Sequence, residues 1–356
     1  MVWNVPFRSC YRRGAWRAAA LLASAFLGTL TGGAWPTRFA APAASASPGP
    51  SGPLAEYRLV TEPANGLAPI YNLISSAKRT LEMTMYELDD PTAEADLAAA
   101  ARRGVDVRVV LDQNLAKSYN MAAYNCLRSR GVEVHWAPTS YDVTHQKTIT
   151  ADGEVSAVMT FNLTSEYYST SRDFAVIDRD PSDVAAIEAV FADDFAGHPT
   201  SPEPSGTDLI WSPGADARLV SIIGSAKHAL YVENEEMSEY TIVDALCAAA
   251  RRGVDVEVVM TYQTSWTSNF DKLAAAGVHL RTYAADASLY IHAKLIDIDP
   301  GYPDEELDIG SQNFSWASLE YNRELGIELG PAEDNIVKSV AATVRADYAG
   351  ATPWAG

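Results

Sequence analysis

Cysteine and basic residues are scarce in this chain of 356 residues, which has three Cys, and 27 Lys and Arg against 46 Asp and Glu. No Cys and His residues stand at the spacing that zinc ligands adopt, so the sequence predicts neither a metal site nor another cofactor. The formal net charge is −19 at pH 7. Binding to nucleic acid depends on many Lys and Arg contacts to phosphates, and no basic cluster is visible. The charge therefore disfavours a nucleic-acid partner.

Long hydrophobic runs are also missing, apart from one between residues 18 and 30. That run is too short to span a bilayer comfortably, and it follows a segment with four Arg residues. Together with the small residues Ala44-Ser45-Ala46, it predicts a signal peptide over residues 1–46 and a secreted protein cleaved near Ala46. An uncleaved membrane anchor is the alternative. Removal of five basic and no acidic residues leaves 22 − 46, a mature charge of −24.

Two cysteines, Cys126 and Cys247, lie beyond the predicted cleavage site. Export permits a disulfide between them. They lie in helix-like segments, one in each half of the chain, at positions that are not equivalent in the repeat described below. Two buried thiols are therefore the preferred interpretation, with a disulfide as the alternative.

One short pattern occurs twice, beginning at His145 and at His292. Each copy reads His-x-Lys, four residues and an Asp, and continues to an Asn and, eleven residues after that Asn, to another acid. A single His-Lys pair would mean nothing, but two copies of a four-part pattern do not arise easily by chance. The first copy comprises His145, Lys147, Asp152, Asn162 and Asp173, and the second comprises His292, Lys294, Asp299, Asn313 and Glu324.

The local geometry of the first copy predicts a phosphate site. Residues two apart on a β-strand point to one face, so His145 and Lys147 share a face. If Asp152-Gly153 forms a two-residue hairpin, residue 143 pairs with residue 162, and Asn162 reaches that face. An imidazole, an ammonium and an amide supply a nucleophile or acid and two donors for phosphate oxygens. The Asp residue of each copy falls at a turn signal and is interpreted as a turn or orienting residue.

Further stretches repeat at an offset of 149 residues. Among them is a nine-residue segment whose two copies, beginning at Ala99 and at Ala248, have the same sequence. Each half alternates helix and strand patterns. This predicts an α/β fold of two pseudo-symmetric α-β-α repeats, each a mixed sheet flanked by helices, with one active site at the interface. The predicted order after the signal peptide is a flexible N-terminal segment over 47–65, a first repeat over 66–197, a linker over 198–210 and a second repeat over 211–352.

The doubled pattern resembles that of the phospholipase D superfamily, whose two His-x-Lys-x4-Asp motifs each lead to a Gly-Ser-x-Asn-like segment. The resemblance covers nearly the whole predicted mature chain, with two departures. Met159 occupies the position of the usual glycine in the first copy, and extra residues separate Asp299 from Gly310 in the second. Neither departure touches a His, Lys or Asn of the pattern, so only the pocket shape near Met159 is in question.

Two half-sites of this kind suit a phosphodiester, because one histidine can attack phosphorus while the other protonates the leaving alcohol and then activates water. The two Lys and two Asn residues can carry the charge, so the scheme needs no metal. The resemblance implies the same phosphohistidine scheme, and adds that Asp173 and Glu324 hold the imidazole N–H groups. By similarity with secreted bacterial phospholipases D, His145 is expected to be the nucleophile and His292 the acid and base.

The superfamily that the chain resembles includes phospholipases D, phospholipid synthases and nucleases. Export disfavours a synthase, since those enzymes usually act at the cytoplasmic membrane, and the acidic mature chain disfavours a nuclease. Aromatic residues near the motifs are suited to a lipid interface, although a core or pocket-wall position is an equal alternative. These residues are Tyr167, Tyr168, Trp266, Tyr290 and Trp316.

The sequence therefore predicts a secreted, monomeric phosphodiesterase that acts at a membrane or micelle surface and has no obligate protein partner. It is expected to hydrolyse glycerophospholipids to phosphatidic acid and a headgroup alcohol, and the same intermediate allows transfer to another alcohol. A metal-independent secreted nuclease and a non-catalytic phospholipid-binding protein are the alternatives.

Overall fold

The computed structural model describes residues 57–199, 201 and 203–355. The predicted signal peptide over 1–46 and its cleavage site lie outside the described residues. Within the described part of the chain, no helix combines the length and apolar character that a membrane crossing requires.

The first half alternates strands and helices, and local sequence signals start two of its helices. Asp90 and Asp180 each precede a Pro and accept hydrogen bonds from backbone N–H groups of the first helical turn. The strands are β1 (Tyr57–Glu62), β2 (Thr80–Met85), β3 (Leu88–Asp89), β4 (Asp106–Leu111), β5 (Glu133–Trp136), β6 (Thr148–Ala151), β7 (Val155–Met159), β8 (Leu163–Thr164) and β9 (Ser171–Asp178). The helices are α1 (Ala68–Ser76), α2 (Pro91–Arg102), α3 (Lys117–Arg128) and α4 (Pro181–Ala196).

The second half repeats this order. Its strands are β10 (Leu209–Ser212), β11 (Ala229–Glu233), β12 (Asp255–Thr261), β13 (His279–Tyr283), β14 (Tyr290–Ile291), β15 (Leu295–Ile298), β16 (Glu306–Gly310), β17 (Glu324–Leu329) and β18 (Thr352–Pro353). Its α-helices are α5 (Asp216–Ser225), α6 (Tyr240–Arg251), α7 (Thr267–Ala275), α8 (Trp316–Glu320) and α9 (Asp334–Gly350).

Each half contains one large sheet, and the two sheets share one strand order. The first runs β1-β9-β7-β6-β2-β4-β5, and the second runs β10-β17-β16-β15-β11-β12-β13-β18. Both are mixed: β2 is parallel to β4 and antiparallel to β6, just as β11 is parallel to β12 and antiparallel to β15. The predicted fold class, an α/β protein of two repeats with mixed sheets flanked by helices, is confirmed.

A shared apolar core joins the two sheets, in addition to the core that each sheet forms with its own helices. In this shared core, Phe174 and Val176 of β9 lie with Ile309 of β16 and Ile327 of β17, and all four are fully buried. Burial of each such side chain contributes about 1.5–3 kcal/mol. Because residues on alternate positions of β9 face this core, it fixes how the two repeats meet.

The two motif aspartates lie in the turns that follow β6 and β15. Asp152 has a φ angle of 59° and Asp299 one of 51°, a left-handed conformation that Asp tolerates better than most residues. Each carboxylate accepts hydrogen bonds from three consecutive backbone N–H groups at the start of the neighbouring strand, at the end of the hairpin away from the histidine. The donors are Lys78, Arg79 and Thr80 for Asp152, and Lys227, His228 and Ala229 for Asp299.

The hairpin after the first His-Lys pair has a three-residue loop rather than the predicted two-residue turn. Thr148 pairs with Val158 and Ala151 with Val155, so the predicted pairing of residue 143 with residue 162 is wrong by one residue. A slip of one residue would carry Asn162 to the other face of a continuous strand. However, β7 ends at Met159, and Asn162 reaches the site from the segment that follows.

Two segments predicted to be irregular contain strands. The predicted flexible segment over 47–65 includes β1, which pairs along its whole length with β9. The predicted linker over 198–210 includes the start of β10, which pairs with β17. Both predictions are wrong over these strands, because each strand covers a sheet edge whose backbone N–H and C=O groups need partners.

The two cysteines lie in helices of different repeats. Cys126 belongs to α3 and Cys247 to α6, and both are buried. No disulfide joins them, as the preferred interpretation of the sequence stated.

Candidate active site

Each motif histidine enters the site from the segment just before a central strand, and the other half holds its backbone. The N–H groups of His145 and Gln146, just before β6, both donate to the carbonyl oxygen of Arg323 at 2.9 Å. The N–H group of His292, just before β15, donates to the carbonyl oxygen of Arg172 at 3.2 Å. In the same way β14 of the second half pairs with β9 of the first. The two motif segments are therefore bonded across the interface.

The motif acids are exchanged between the two halves. Nδ1 of His145 lies 2.8 Å from Oε2 of Glu324, and Nδ1 of His292 lies 2.8 Å from Oδ1 of Asp173. Each acid thus contacts the histidine of the opposite repeat, not the one that precedes it in its own copy of the pattern. With Nδ1–H donating to a carboxylate, Nε2 of each ring is the nitrogen left for chemistry.

Polar residues that the pattern did not single out orient these acids. Oε1 of Glu324 accepts hydrogen bonds from Oγ of Ser318 at 2.7 Å and Nδ2 of Asn322 at 3.2 Å. Oδ1 of Asp173 accepts a hydrogen bond from Oγ1 of Thr160 at 2.5 Å. In the sequence, the one feature that pointed to a role for Thr160, Ser318 and Asn322 was their position close to the motif residues. Such bonds fix the carboxylates and, through them, the imidazole rings.

The two motif lysines are buried behind the histidines. Nζ of Lys147 donates to the carbonyl oxygen of His145, and Nζ of Lys294 to that of His292, both at 2.5 Å. Burial lowers the pKa of Lys147 to about 7, although Glu324 opposes the shift. Burial also lowers the pKa of His145 against the influence of Glu324. An anion entering the site would therefore relieve the cost of burying the ammonium group of Lys147, and the neutral form of His145 is favoured.

All eight residues predicted for catalysis meet at the interface between the repeats. Both histidines line one cavity of about 580 Å³, as attack on a single phosphorus atom requires. Both asparagines line it as well, and Nδ2 of Asn313 donates a hydrogen bond to Oε1 of Glu236 at 3.5 Å. The wall residues are His145, Asn162, Asp173, His292 and Asn313, and the residues behind them are Lys147, Lys294 and Glu324.

The two departures from the superfamily pattern lie outside the cavity wall. Met159 is fully buried in the core of the first repeat and does not line the cavity. In the second copy, a Cβ on Gly310 would come within 2.4 Å of the Cα of Gly326, so this close approach of β16 and β17 requires glycine. The extra residues after Asp299 lie at the far end of β15 from His292.

Four glutamates that the pattern did not single out also line the cavity. Glu62, Glu87, Glu235 and Glu236 line the cavity beside Asp173. Burial, with a further effect of Asp173, raises the pKa of Glu62 to about 7. Burial also raises the pKa values of Glu87 and Glu236. The signal available for Glu87 and Glu236 was their separation of 149 residues, which is the repeat offset.

The five aromatic residues singled out in the sequence divide into two groups. Tyr167 and Trp316 are exposed, at 52% and 53%. Tyr167 also lines the cavity, together with Tyr168 and Tyr290, and Trp266 packs against the core of the second repeat. The exposure that a lipid interface requires is therefore found at Trp316 and, at the rim of the cavity, at Tyr167, and the pocket-wall or core interpretation fits the other three.

Comparison with known proteins adds to this geometry. Residues 70–195 and 219–346, one stretch in each repeat, match a family model described as cardiolipin synthase, PLD-like domain. Cardiolipin synthase 1 of Staphylococcus aureus (strain COL) is 25% identical over 267 residues, which cover 63% of this chain and 53% of that protein. Cardiolipin synthase A of Yersinia pseudotuberculosis (serotype O:1b) is 24% identical over 346 residues, 82% of this chain and 69% of that one. The chain thus spans about half the length of the staphylococcal relative.

A solved structure shares the fold. Phosphatidylserine synthase of Haemophilus influenzae matches with a TM-score of 0.64 at 11% identity, covering 85% of this chain and 88% of that chain. Identity at this level shows a common architecture and nothing about the substrate. The family model, in contrast, covers most of both repeats. The chain therefore belongs to the phospholipase D superfamily, in the family of the cardiolipin synthase PLD-like domain.

Proposed function

We propose that this protein is a secreted phospholipase D-type phosphodiesterase that hydrolyses glycerophospholipids to phosphatidic acid and a free headgroup alcohol. One observation carries the proposal: two histidines, each held at Nδ1 by an acid of the opposite repeat, line a single cavity. One imidazole would act as nucleophile and the other as acid and base, and a single phosphorus atom would lie between them.

The chemistry follows from the groups at the cavity. A histidine Nε2 attacks phosphorus, the bond to the headgroup oxygen breaks, and the second histidine gives that oxygen a proton. Water then donates a proton back to the second histidine and attacks phosphorus, which frees the first histidine. The ammonium groups of Lys147 and Lys294 and the amides of Asn162 and Asn313 stabilise the charge on the non-bridging oxygens in both steps.

The cavity wall favours a phospholipid over nucleic acid. Glu62, Glu87, Glu235 and Glu236 line the cavity, and their ionised forms would repel the neighbouring phosphates of a polynucleotide. A lipid phosphodiester brings one phosphate, and a zwitterionic headgroup brings a positive charge that these carboxylates can accept. The exposed rings of Tyr167 and Trp316 are suited to contact with a membrane or micelle surface.

Phosphatidyl transfer to a second alcohol is the second candidate, and the family match favours it. The curated relatives are named cardiolipin synthases, and a synthase differs from a hydrolase in which hydroxyl accepts the phosphatidyl group. The predicted export of this chain opposes a synthase that works at the cytoplasmic membrane. The two activities share the intermediate, so the acceptor decides between them.

Four assays of the purified chain in EDTA separate the possibilities. Phosphatidylcholine vesicles report choline release, the same vesicles with ethanol report phosphatidylethanol, phosphatidylglycerol vesicles report cardiolipin, and plasmid DNA reports nicking. We expect choline release that His145→Asn abolishes. Cardiolipin without choline release would replace the hydrolase with a synthase, nicking alone would indicate a nuclease, and vesicle binding without turnover would leave a binding protein.

A further inference from the structure

The two halves of the site differ in charge at the equivalent positions Tyr86 and Glu235. Tyr86 follows β2 and Glu235 follows β11, and the repeat offset of 149 residues makes them counterparts. The histidines, lysines, asparagines and orienting acids all have counterparts of the same chemistry. At this position one half has a phenol and the other has a carboxylate.

Tyr86 gives the first half a neutral aromatic neighbour. Its ring lies edge-on to the ring of His145, with 4.8 Å between the centroids. Nζ of Lys147 lies 5.1 Å from the centre of the same ring. Burial raises the pKa of the Tyr86 hydroxyl, so this group carries no charge at neutral pH.

Glu235 gives the second half an anion. Its Oε2 lies 3.0 Å from Nζ of Lys294 and 3.4 Å from Nε2 of His292. Its Oε1 accepts a hydrogen bond from the hydroxyl of Tyr290 at 3.0 Å. Burial favours the neutral acid, but Lys294 and then His292 outweigh it and lower the pKa of Glu235, so the carboxylate is ionised.

We infer that Glu235 divides the roles of the two histidines: its carboxylate faces Nε2 of His292 and orients the N–H group that protonates the leaving oxygen, which makes His292 the acid, and His145 is left as the nucleophile. The inference rests on the proposed phosphodiester chemistry. Glu235 is a positioning residue in this scheme, because it acts through His292 and not on the substrate.

The charges that face His292 support its role as the acid. Asp173 accepts from Nδ1 and Glu235 faces Nε2, so a carboxylate stands at each ring nitrogen. Glu87 lines the same cavity and interacts with His292 as a further acidic group. The cation beside them, Lys294, is paired with Glu235. An N–H group at either nitrogen of this ring therefore has a carboxylate to face.

The charges that face His145 favour a neutral ring. Glu324 holds Nδ1, and the neutral Tyr86 and the ammonium groups of Lys147 and Lys294 are nearby. Glu235 also interacts with His145, but less strongly than with His292. Burial and then the two lysines lower the pKa of His145, against the effect of Glu324. A neutral imidazole has the lone pair on Nε2 that attack on phosphorus needs.

The reaction then has a fixed direction. Nε2 of His145 forms a bond to phosphorus, the bond to the headgroup oxygen breaks, and the proton on Nε2 of His292 passes to that oxygen. In the free enzyme, Oε2 of Glu235 faces this proton. When the substrate binds, the headgroup oxygen replaces Oε2 as the atom that the proton faces. In the second step water returns a proton to His292, and its oxygen replaces His145 on phosphorus.

A leaving group that needs no proton tests the role of Glu235. The test compares short-chain phosphatidylcholine with the same lipid carrying p-nitrophenol as its headgroup, since p-nitrophenolate leaves without an acid. Glu235→Gln should lower kcat for phosphatidylcholine by about 100-fold and the first-turnover rate with the p-nitrophenyl lipid by no more than about threefold. Glu235→Asp should recover most of the loss. Equal losses with both substrates would reduce Glu235 to a structural residue and overturn the inference.

The same p-nitrophenyl lipid locates the nucleophile. His292→Asn should release one equivalent of p-nitrophenolate and retain a phosphatidyl group on His145, which peptide mass spectrometry after an alkaline quench detects. His145→Asn should release none. A burst from His145→Asn, or an adduct on His292, would reverse the assignment while the proposed function stands. A wild-type chain that cleaves neither lipid would remove the proposed function and this inference together.

Discussion

Arg323 and Asp194 form a buried ion pair that reaches from one repeat into the other. Nε of Arg323 lies 2.9 Å from Oδ2 of Asp194, and the two side chains are 0% and 1% exposed. Arg172 and Asp347 form the counterpart in the opposite direction. Each arginine immediately precedes an acid that holds a histidine, so these ion pairs fix the strands on which the exchanged His–acid contacts depend.

Loss of one partner of this pair should destabilise the protein strongly. Arg323→Met is expected to lower the free energy of unfolding by about 3–5 kcal/mol, because it leaves the buried carboxylate of Asp194 without its cation. Urea unfolding followed by circular dichroism measures the change. Arg218→Met is the matched control, since Arg218 pairs with Glu328 at a half-exposed position and its loss should cost less than about 1 kcal/mol. Equal effects of the two variants would contradict the assigned role.

The exchange of acids between the halves is tested by a double-mutant cycle. Glu324→Gln should couple energetically to His145→Ala and not to His292→Ala, because Glu324 contacts only the first ring. Asp173→Asn should show the opposite preference. Free energies of unfolding for the single and double variants give the coupling terms, and coupling within each copy of the sequence pattern instead of across copies would disprove the exchange.

Both histidines are expected to be essential for turnover. His145→Ala and His292→Ala should each lower hydrolysis of phosphatidylcholine by at least about three orders of magnitude, since each removes a group that forms or breaks a bond to the reacting atoms. His228→Ala is the control, because His228 stacks on Tyr302 away from the cavity and should leave turnover near normal. A motif variant that retains wild-type turnover would exclude the two-histidine scheme.

Stability should rise with pH through the titration of Lys147. Its pKa is about 7 in the folded protein against an ordinary value of 10.5, so the unfolded chain binds the extra proton between these values. The free energy of unfolding therefore increases as the pH rises from about 7 towards 10.5, by a total on the order of 5 kcal/mol. Denaturant unfolding gives the free energy of unfolding of wild type and of Lys147→Met at several pH values. The difference between the two slopes against pH measures the contribution of Lys147. Parallel pH profiles would show that burial of Lys147 carries no such penalty.

Trp316 should contribute to vesicle binding and not to chemistry. Trp316→Ala is expected to weaken binding to phosphatidylcholine vesicles by about tenfold, because an exposed indole is suited to the interface between water and lipid. Hydrolysis of a monomeric short-chain lipid should stay unchanged. Vesicle sedimentation and choline release below the micellar concentration distinguish the two effects, and an equal loss in both assays would place Trp316 in a role other than membrane contact.

Sequence reasoning found the catalytic groups because they stand in a local pattern that occurs twice. It missed the hairpin register, because the loop at Asp152 contains one residue more than an Asp-Gly turn predicts. It also missed β1 and β10, since strands that cover sheet edges are defined by their partners, β9 and β17, and not by their own composition. The glutamates of the cavity wall carried no motif of their own.

The sequence by itself determined that two similar half-sites exist and which side chains they contain, since spacing along a strand and repetition along the chain are local properties. Only the tertiary structure decided which acid holds which histidine. The answer depends on how two sheets pack through a shared apolar core, and that packing sets Glu324 beside His145 and Asp173 beside His292. It also brought Glu235 to one of the two lysines and Tyr86 to the other, a difference between the half-sites that becomes visible once both halves surround one cavity.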